Sequence, residues 1–245
     1  MPEAHVFLVV DDGTDLVPAL TRRLQAMGWP MVLLRPSSGM PAYVDSPVVF
    51  LENTTEAAVR AALDEVRASY GPVAGCVVTC TAMVGALPTS PTQVPYGAGL
   101  DGPPPCSRGG VLAGLADRDD VRLAFLLAKH LSDSLTDAAR QSWGGFFTVV
   151  RLDGALSMTG AADGLTAAAG MTGLTKTLRL EWPVVVSRAI DLAPELATDA
   201  AADAVVAEVL DPNRAISEVG WGEGRRVTLV AEVESGTEEM TDGAY

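Results

Sequence analysis

Cysteine, histidine and lysine are scarce in this 245-residue sequence. Its three cysteines, Cys76, Cys80 and Cys106, are too few and too unevenly spaced for a disulfide framework. Its two histidines, His5 and His130, are too few for an ordinary zinc site. These shortages predict that the chain has no metal-binding residue and works in the reducing cytoplasm.

Excess positive charge and long apolar runs are also missing. The formal net charge is -14 at pH 7, so attraction to nucleic acid phosphates or to anionic lipid is unfavourable. No apolar run approaches the roughly 20 residues that cross a bilayer. Charged residues enter as early as Glu3 and Asp11, which is unlike a signal peptide. We therefore expect a soluble protein with neither a nucleic acid nor a membrane as partner.

Hydrophobic residues make up 48% of the chain, which is enough to build the core of one large α/β domain. Short β-branched runs predict strands, and apolar residues repeating every three or four positions predict helices. The predicted strands are 6–10, 31–35, 47–52, 75–80, 146–152, 184–192, 216–221 and 225–233, and the predicted helices are 16–28, 54–70, 121–135, 165–181 and 199–210.

Strands that alternate with helices in this way form a parallel sheet with helices on both faces. The sequence therefore predicts a single Rossmann-like, doubly wound α/β domain over residues 1–231. Residues 232–245 hold five carboxylates and are interpreted as an acidic tail or linker. Residues 84–119 are rich in proline and glycine, and no regular element is expected there before Val121. Asn53, with Glu56 three positions later, is the predicted cap of the second helix.

The turn after the first strand is where a doubly wound domain binds a dinucleotide, and it normally needs several glycines. Here the turn reads Asp11, Asp12, Gly13, Thr14 and Asp15. Three carboxylates would repel a pyrophosphate at close range. We interpret Asp15 as the cap of the following helix and expect no cofactor-binding residue in this turn.

Four other features have a functional and a structural interpretation, and the structural one is favoured in each. Arg35, followed by Ser37 and Ser38, lies where a 2′-phosphate would bind, but a surface arginine is the simpler interpretation. Cys76 and Cys80 face the same side of a strand and are expected to be buried rather than redox-active. His130 is expected to be packed or hydrogen-bonded, and Ser157 lacks the surroundings of a nucleophile.

The segment GLTKTLRLE, residues 173–181, resembles the helix that follows the catalytic Tyr-x-x-x-Lys motif of short-chain dehydrogenase/reductases. Counting back along this resemblance places Gly164 at the tyrosine and Ala168 at the lysine. The catalytic serine falls near Arg151. Neither glycine nor alanine can donate a proton, so the resemblance implies that this chain has no catalytic residue.

Further segments narrow the resemblance. VVDDGTDL, FLLAKHL, TVVRLDGAL and SRAIDLAP are similar to the structural subdomain of ketoreductase regions in multidomain polyketide synthases, especially those related to polyunsaturated fatty acid synthases. The similarity covers residues 6–231. It implies that this half binds no cofactor, and that a separate catalytic half containing TGGxxGxG binds NADPH and reduces a β-ketoacyl thioester on an acyl carrier protein.

The leading hypothesis is therefore a non-catalytic subdomain whose partners are the catalytic half and the other domains of one synthase, with the acyl carrier protein an indirect partner. The alternatives are a stand-alone enzyme of the short-chain dehydrogenase type with an atypical site, and a binding protein with a pocket under residues 84–119. If the leading hypothesis holds, residues 227–230 and 125–127 are the expected contact surface.

Overall fold

The structure, a computed structural model, describes residues 1–36, 45–80, 108–159, 166–222 and 224–230, with 108–118 and 166–168 described by their backbone only. The strands are β1 (Val6–Val10), β2 (Met31–Pro36), β3 (Val48–Leu51), β4 (Val73–Cys80), β5 (Gly145–Val150), β6 (Val186–Leu192), β7 (Glu218–Gly222) and β8 (Arg225–Val227). The helices are α1 (Leu16–Ala26), α2 (Glu56–Tyr70), α3 (Arg108–Gln141), α4 (Thr166–Glu181) and α5 (Thr198–Leu210).

All eight strands form one sheet in the order β3-β2-β1-β4-β5-β6-β7-β8. Neighbouring strands are parallel except for β8, which returns antiparallel to β7 as a hairpin. The strand order reverses between β1 and β4, where the chain crosses from one half of the sheet to the other. This arrangement confirms the predicted Rossmann-like, doubly wound α/β domain.

The core has two layers because helices cover both faces of the sheet. Helices α2, α3 and α4 bury their apolar residues against one face, and α1 and α5 against the other. Cys76 and Cys80 both belong to the first layer, so the prediction that they share a buried face is confirmed. Burial raises the pKa of the Cys76 thiol, which keeps it protonated and unreactive. The Cys80 thiol donates to Asp120 Oδ2 at 3.3 Å.

Helix α3 corrects the expectation that no regular element precedes Val121, because its backbone is helical from Arg108. No proline follows Pro105 in this part of the sequence, and Val111, Leu112 and Leu115 continue the helical spacing towards Val121. The proline-rich part of the expected loop therefore ends at Pro105, and the residues after it can form a helix. Residues 84–107 lie outside the described part of the chain, as does the predicted tail at 232–245.

The capping residue of α2 is Thr55, so the prediction of Asn53 is wrong. Thr55 has an extended backbone, and its hydroxyl accepts from the Ala58 N–H at 3.4 Å. Asn53 Oδ1 instead accepts from the Thr55 N–H at 3.0 Å. The helical turn starts only at Glu56, which leaves Asn53 too far from the free N–H groups at the helix end.

Candidate functional site

Ligands of doubly wound domains bind beyond the carboxyl ends of the strands, beside the point where the strand order reverses. In this chain that place is the turn at residues 11–15, between β1 and α1, which we call the β1 turn. Asp11 lies at its base, and its carboxylate is buried. Asp11 Oδ2 accepts from Arg35 Nε at 2.7 Å and from Arg35 Nη2 at 2.6 Å, while Oδ1 accepts from the Gly13 N–H at 3.0 Å.

Arg35 is buried, with 6% of its surface exposed, so the interpretation of a surface arginine is wrong. Its strand, β2, lies between β1 and β3, and the guanidinium reaches across the sheet end to Asp11. A buried guanidinium needs a carboxylate partner, which the neighbouring strand supplies. Ser37 and Ser38 lie outside the described residues.

The capping interpretation of Asp15 is confirmed for its position but not for its hydrogen bond. Asp15 occupies the residue before α1, but its backbone is already helical, and its side chain makes no capping hydrogen bond within the described part of the chain. Asp12 stabilises the turn together with Asp11, because Asp12 Oδ1 accepts from the Thr14 N–H at 3.1 Å and the Thr14 hydroxyl at 2.7 Å.

The β1 turn differs from a pyrophosphate-binding turn in its charge and in its hydrogen bonds. Such a ligand needs unengaged backbone N–H groups and a site free of negative charge. Here the N–H groups of Gly13 and Thr14 are engaged by carboxylates of the turn itself. The nearby cation, Arg35, is paired with Asp11.

The carboxyl end of β5 is the second place where reductase chemistry is expected, and Arg151 occupies it. Arg151 Nη1 donates to the backbone oxygens of Ala193, Pro194 and Leu196 at 3.1 to 3.3 Å. This side chain therefore ties the segment after β6 to the end of β5. Ala168 lies in α4, in the part described by its backbone only, and Gly164 lies outside the described residues.

Residues 151–159, which we call the β5 loop, are held by hydrogen bonds to two carboxylates. The sequence analysis did not identify either carboxylate. Asp153 Oδ1 accepts from the N–H groups of Ala155 and Ser157, both at 2.8 Å, and its Oδ2 accepts from the Thr159 N–H at 3.1 Å and hydroxyl at 2.6 Å. Asp191, at the end of β6, accepts from the Leu152 N–H at 2.8 Å and the Leu156 N–H at 2.9 Å.

The two carboxyl groups differ in their protonation behaviour. Burial raises the pKa of Asp191 to about 6, with a further contribution from the adjacent Asp153 carboxylate against the effect of the two N–H donors. Burial alone would raise the pKa of Asp153 as well. The hydrogen bonds that it accepts outweigh burial and hold its pKa well below the usual range.

A cleft of about 440 Å³ lies between the β5 loop and α4. It is lined by Leu152, Leu156, Ser157, Ala169, Thr172, Gly173, Lys176, Thr177 and Glu218. Lys176 Nζ pairs with Glu218 Oε1 at 2.8 Å, so its charge is compensated. Both histidines lie elsewhere: His5 Nδ1 contacts the Glu3 backbone oxygen, and His130 bonds Glu56 between α2 and α3. Ser157 therefore has no imidazole base.

A buried polar cluster joins β6, α5, β7 and β8 by ion pairs and hydrogen bonds. Arg188, fully buried in β6, pairs with Glu208 at 2.7 Å and Asp211 at 3.1 Å. Glu208 also accepts from Trp221 Nε1 at 2.7 Å and from Arg226 Nε at 2.6 Å. An arginine inside the apolar strand sequence VSRAIDL is the signal that predicts such a buried partner.

Metal sites and membrane spans are not found in the described part of the chain. Among these residues, no group of three or more histidine, cysteine, aspartate or glutamate side chains is placed to hold a metal ion. Within the same residues, no helix combines the length and apolar character needed to cross a membrane.

Solved structures with this arrangement of strands and helices include 3-ketoacyl-(acyl-carrier-protein) reductase from Brucella melitensis complexed with NADH. That enzyme is 16% identical, with a TM-score of 0.62 over 90% of this chain and 98% of that chain. The two proteins share the Rossmann-like fold. A metagenomic short-chain oxidoreductase in complex with NADP is 18% identical, with a TM-score of 0.59 over 89% of this chain and 96% of that chain. At these identities the likeness concerns the fold alone.

By sequence, the chain is 28% identical over 233 residues to a polyunsaturated fatty acid synthase polypeptide from Thraustochytrium sp.. The match covers 90% of this chain and 7% of that protein, so the chain spans a small fraction of its curated relative. No family model matches the sequence.

Proposed function

We propose that this chain is the non-catalytic, Rossmann-like structural half of a ketoreductase in a synthase of the polyketide or polyunsaturated fatty acid type. It stabilises and positions a separate catalytic half. That half binds NADPH and reduces a β-ketoacyl thioester carried by an acyl carrier protein. The similarity to a short stretch of a much longer synthase polypeptide supports this assignment.

The buried Asp11–Arg35 ion pair is the observation that carries the proposal. It joins the ends of β1 and β2 where a dehydrogenase of this fold would receive its cofactor phosphates. A pyrophosphate entering the β1 turn would meet the carboxylates of Asp11 and Asp12, which already engage the N–H groups of Gly13 and Thr14. Separating the pair to admit it would leave a buried carboxylate without compensation, which costs several kcal/mol, on the order of 3–5. A turn built in this way suits a stable scaffold better than a cofactor site.

The cleft beside the β5 loop favours a second candidate, a stand-alone protein that binds a small ligand there. The cleft lies outside the β1 turn, so a ligand could occupy it without disturbing the Asp11–Arg35 pair. The cleft is not the pocket that the sequence analysis expected under residues 84–119. Most of those residues lie outside the described part of the chain. This second candidate predicts ligand binding and function without a catalytic half.

We expect the isolated chain to bind neither NADPH nor NADH at physiological concentration, because carboxylates of the β1 turn already engage the N–H groups of Gly13 and Thr14. We also expect no NADPH oxidation with a β-ketoacyl thioester surrogate. Titration calorimetry and absorbance at the nicotinamide band measure the two outcomes, with the catalytic half as the positive control. A micromolar dissociation constant or measurable oxidation would overturn the proposal and favour a stand-alone enzyme.

Fewer of the expected contact residues are exposed than the sequence predicted. Of residues 125–127, only Phe125 is exposed, with Leu126 and Leu127 buried in the core. Strand β8 ends at Val227, but Leu229 and Val230 beyond it are exposed at 44% and 77%. These three exposed apolar side chains are the proposed contacts, within an interface of roughly 600 to 1,500 Å².

We expect the catalytic half of the same synthase to co-purify with this chain and to be stabilised by it. Phe125→Asp and Leu229→Asp should each weaken pairing at least about tenfold while changing this chain's melting temperature little, because both residues are exposed. Phe50→Asp is the matched control, since Phe50 is also exposed but lies on the far edge strand β3. A catalytic half that is equally stable and active alone contradicts the scaffold role.

A further inference from the structure

A groove of about 430 Å³ lies at the amino ends of β1, β2 and β3, at the opposite end of these strands from the β1 turn. None of the nine described residues that line it is charged, although 20% of the residues of the chain are. The groove therefore offers no counter-charge to an ionic ligand, and the chemistry of its ligand must be uncharged where it makes contact.

Two aromatic side chains line the groove. Trp29 lies between α1 and β2, and its ring is held by Phe7 at a centroid distance of 5.4 Å and by Trp143 at 5.2 Å. Tyr70 is the last residue of α2 and is 38% exposed. Trp29 packs with the core layer of α1, whereas α2 covers the other face of the sheet. The two rings therefore enter the groove from opposite faces of the sheet.

Both aromatic side chains also carry an unengaged hydrogen-bond donor. The Trp29 indole N–H and the Tyr70 hydroxyl donate to no acceptor among the described residues, and the indole N–H is open to solvent. Pro30 and Pro47, which also line the groove, have no N–H group, and the Pro30 oxygen already accepts from the Phe7 N–H at 2.8 Å. A ligand that fits must therefore bring its own acceptors to these two side chains.

These features select among the conformations of a bound peptide. A helix uses its own backbone oxygens, so it would leave both donors without an acceptor. Addition of a strand needs an open sheet edge, but β1 and β2, whose first residues line the groove, have neighbouring strands on both sides. A polyproline II helix has no internal hydrogen bonds, and its uncharged rings pack against aromatic side chains. Only this last conformation supplies both the apolar surface and the acceptors.

We propose that the groove binds a proline-rich segment of a partner protein in the polyproline II conformation. Proline rings of the segment pack against Trp29 and Tyr70, and its backbone oxygens accept from the indole N–H and the hydroxyl. Because Trp29 is already held by its aromatic neighbours, its side chain loses little freedom on binding. The groove includes none of Phe125, Leu229 and Val230, so this inference does not depend on pairing with a catalytic half.

Fluorescence anisotropy of labelled decaproline titrated with the full chain tests the proposal. We expect saturable binding that is at least about tenfold tighter than binding of a Gly-Ser peptide of equal length. Tyr70→Ala removes one aromatic surface and should weaken binding by about tenfold or more. Tyr70→Phe removes one hydrogen bond and should weaken it by about fivefold. Leu210→Ala, at an exposed apolar site on α5, should bind as the wild type does.

The indole N–H resonances of the ¹⁵N-labelled chain give a second readout. The Trp29 signal, identified by its absence in Trp29→Phe, should shift when decaproline is added. The Trp221 signal should stay, because that N–H donates to Glu208. Absence of saturable binding, equal binding of the Gly-Ser peptide, or unchanged affinity in Tyr70→Ala would each overturn the proposal. If Trp29→Phe does not fold, the two Tyr70 variants decide the question by themselves.

Discussion

Glu208→Gln is expected to lower the free energy of unfolding by about 3–5 kcal/mol, because it removes one carboxylate from a buried cluster that contains two guanidinium groups. Arg188 would then be fully buried with Asp211 as its remaining carboxylate partner, shared with Arg226. Glutamine has nearly the same volume as glutamate, so the lost stability measures the effect of removing the charge and not that of a cavity. Domains of this size are stable by roughly 5–15 kcal/mol, so the variant should lose a large part of its stability.

Urea unfolding followed by circular dichroism measures this loss. Glu65→Gln is the matched control, since Glu65 is exposed on α2, and it should change stability by less than about 0.5 kcal/mol. A loss below about 1 kcal/mol for Glu208→Gln would mean that Asp211 and the surrounding backbone oxygens satisfy Arg188 without Glu208.

Arg35→Met is expected to destabilise the chain by about 3 kcal/mol at neutral pH, because it leaves the buried carboxylate of Asp11 without its cation. The double variant Asp11→Asn with Arg35→Met should recover much of that loss, since no buried charge remains. Chemical denaturation of both variants at neutral pH measures these differences.

Arg22→Met controls for the loss of an arginine, because Arg22 is exposed on α1 and should be close to neutral. If the single and double variants prove equally unstable, the ion pair is not what holds the ends of β1 and β2 together. Asp11 would then be free to move, and the β1 turn could open to a phosphate.

The strands and helices could be predicted from the sequence because their signals are local. The run VFLVV predicted β1 to the residue, whereas α1 ends at Ala26, shortly before the predicted end at Gly28, which has a φ of +78°. The parallel sheet could be predicted from the alternation of strands and helices, because a crossover helix joins parallel strands, whereas the strand order comes from the structure. Errors fell at the ends of elements, as at the start of α2, where Thr55 and not the nearby Asn53 accepts from an N–H group of the first helical turn.

The sequence by itself determined the fold class and the unusual content of the β1 turn, since both depend on residues that are close together along the chain. Only the tertiary structure decided the partners of the charged groups. Arg35 reaches Asp11, Asp191 meets the β5 loop, and Arg188 meets Glu208, all of them distant along the chain. Burial makes an unpaired charge costly, so each buried charge lies beside a partner in the folded chain. No local sequence pattern predicts which distant carboxylate or loop that partner is.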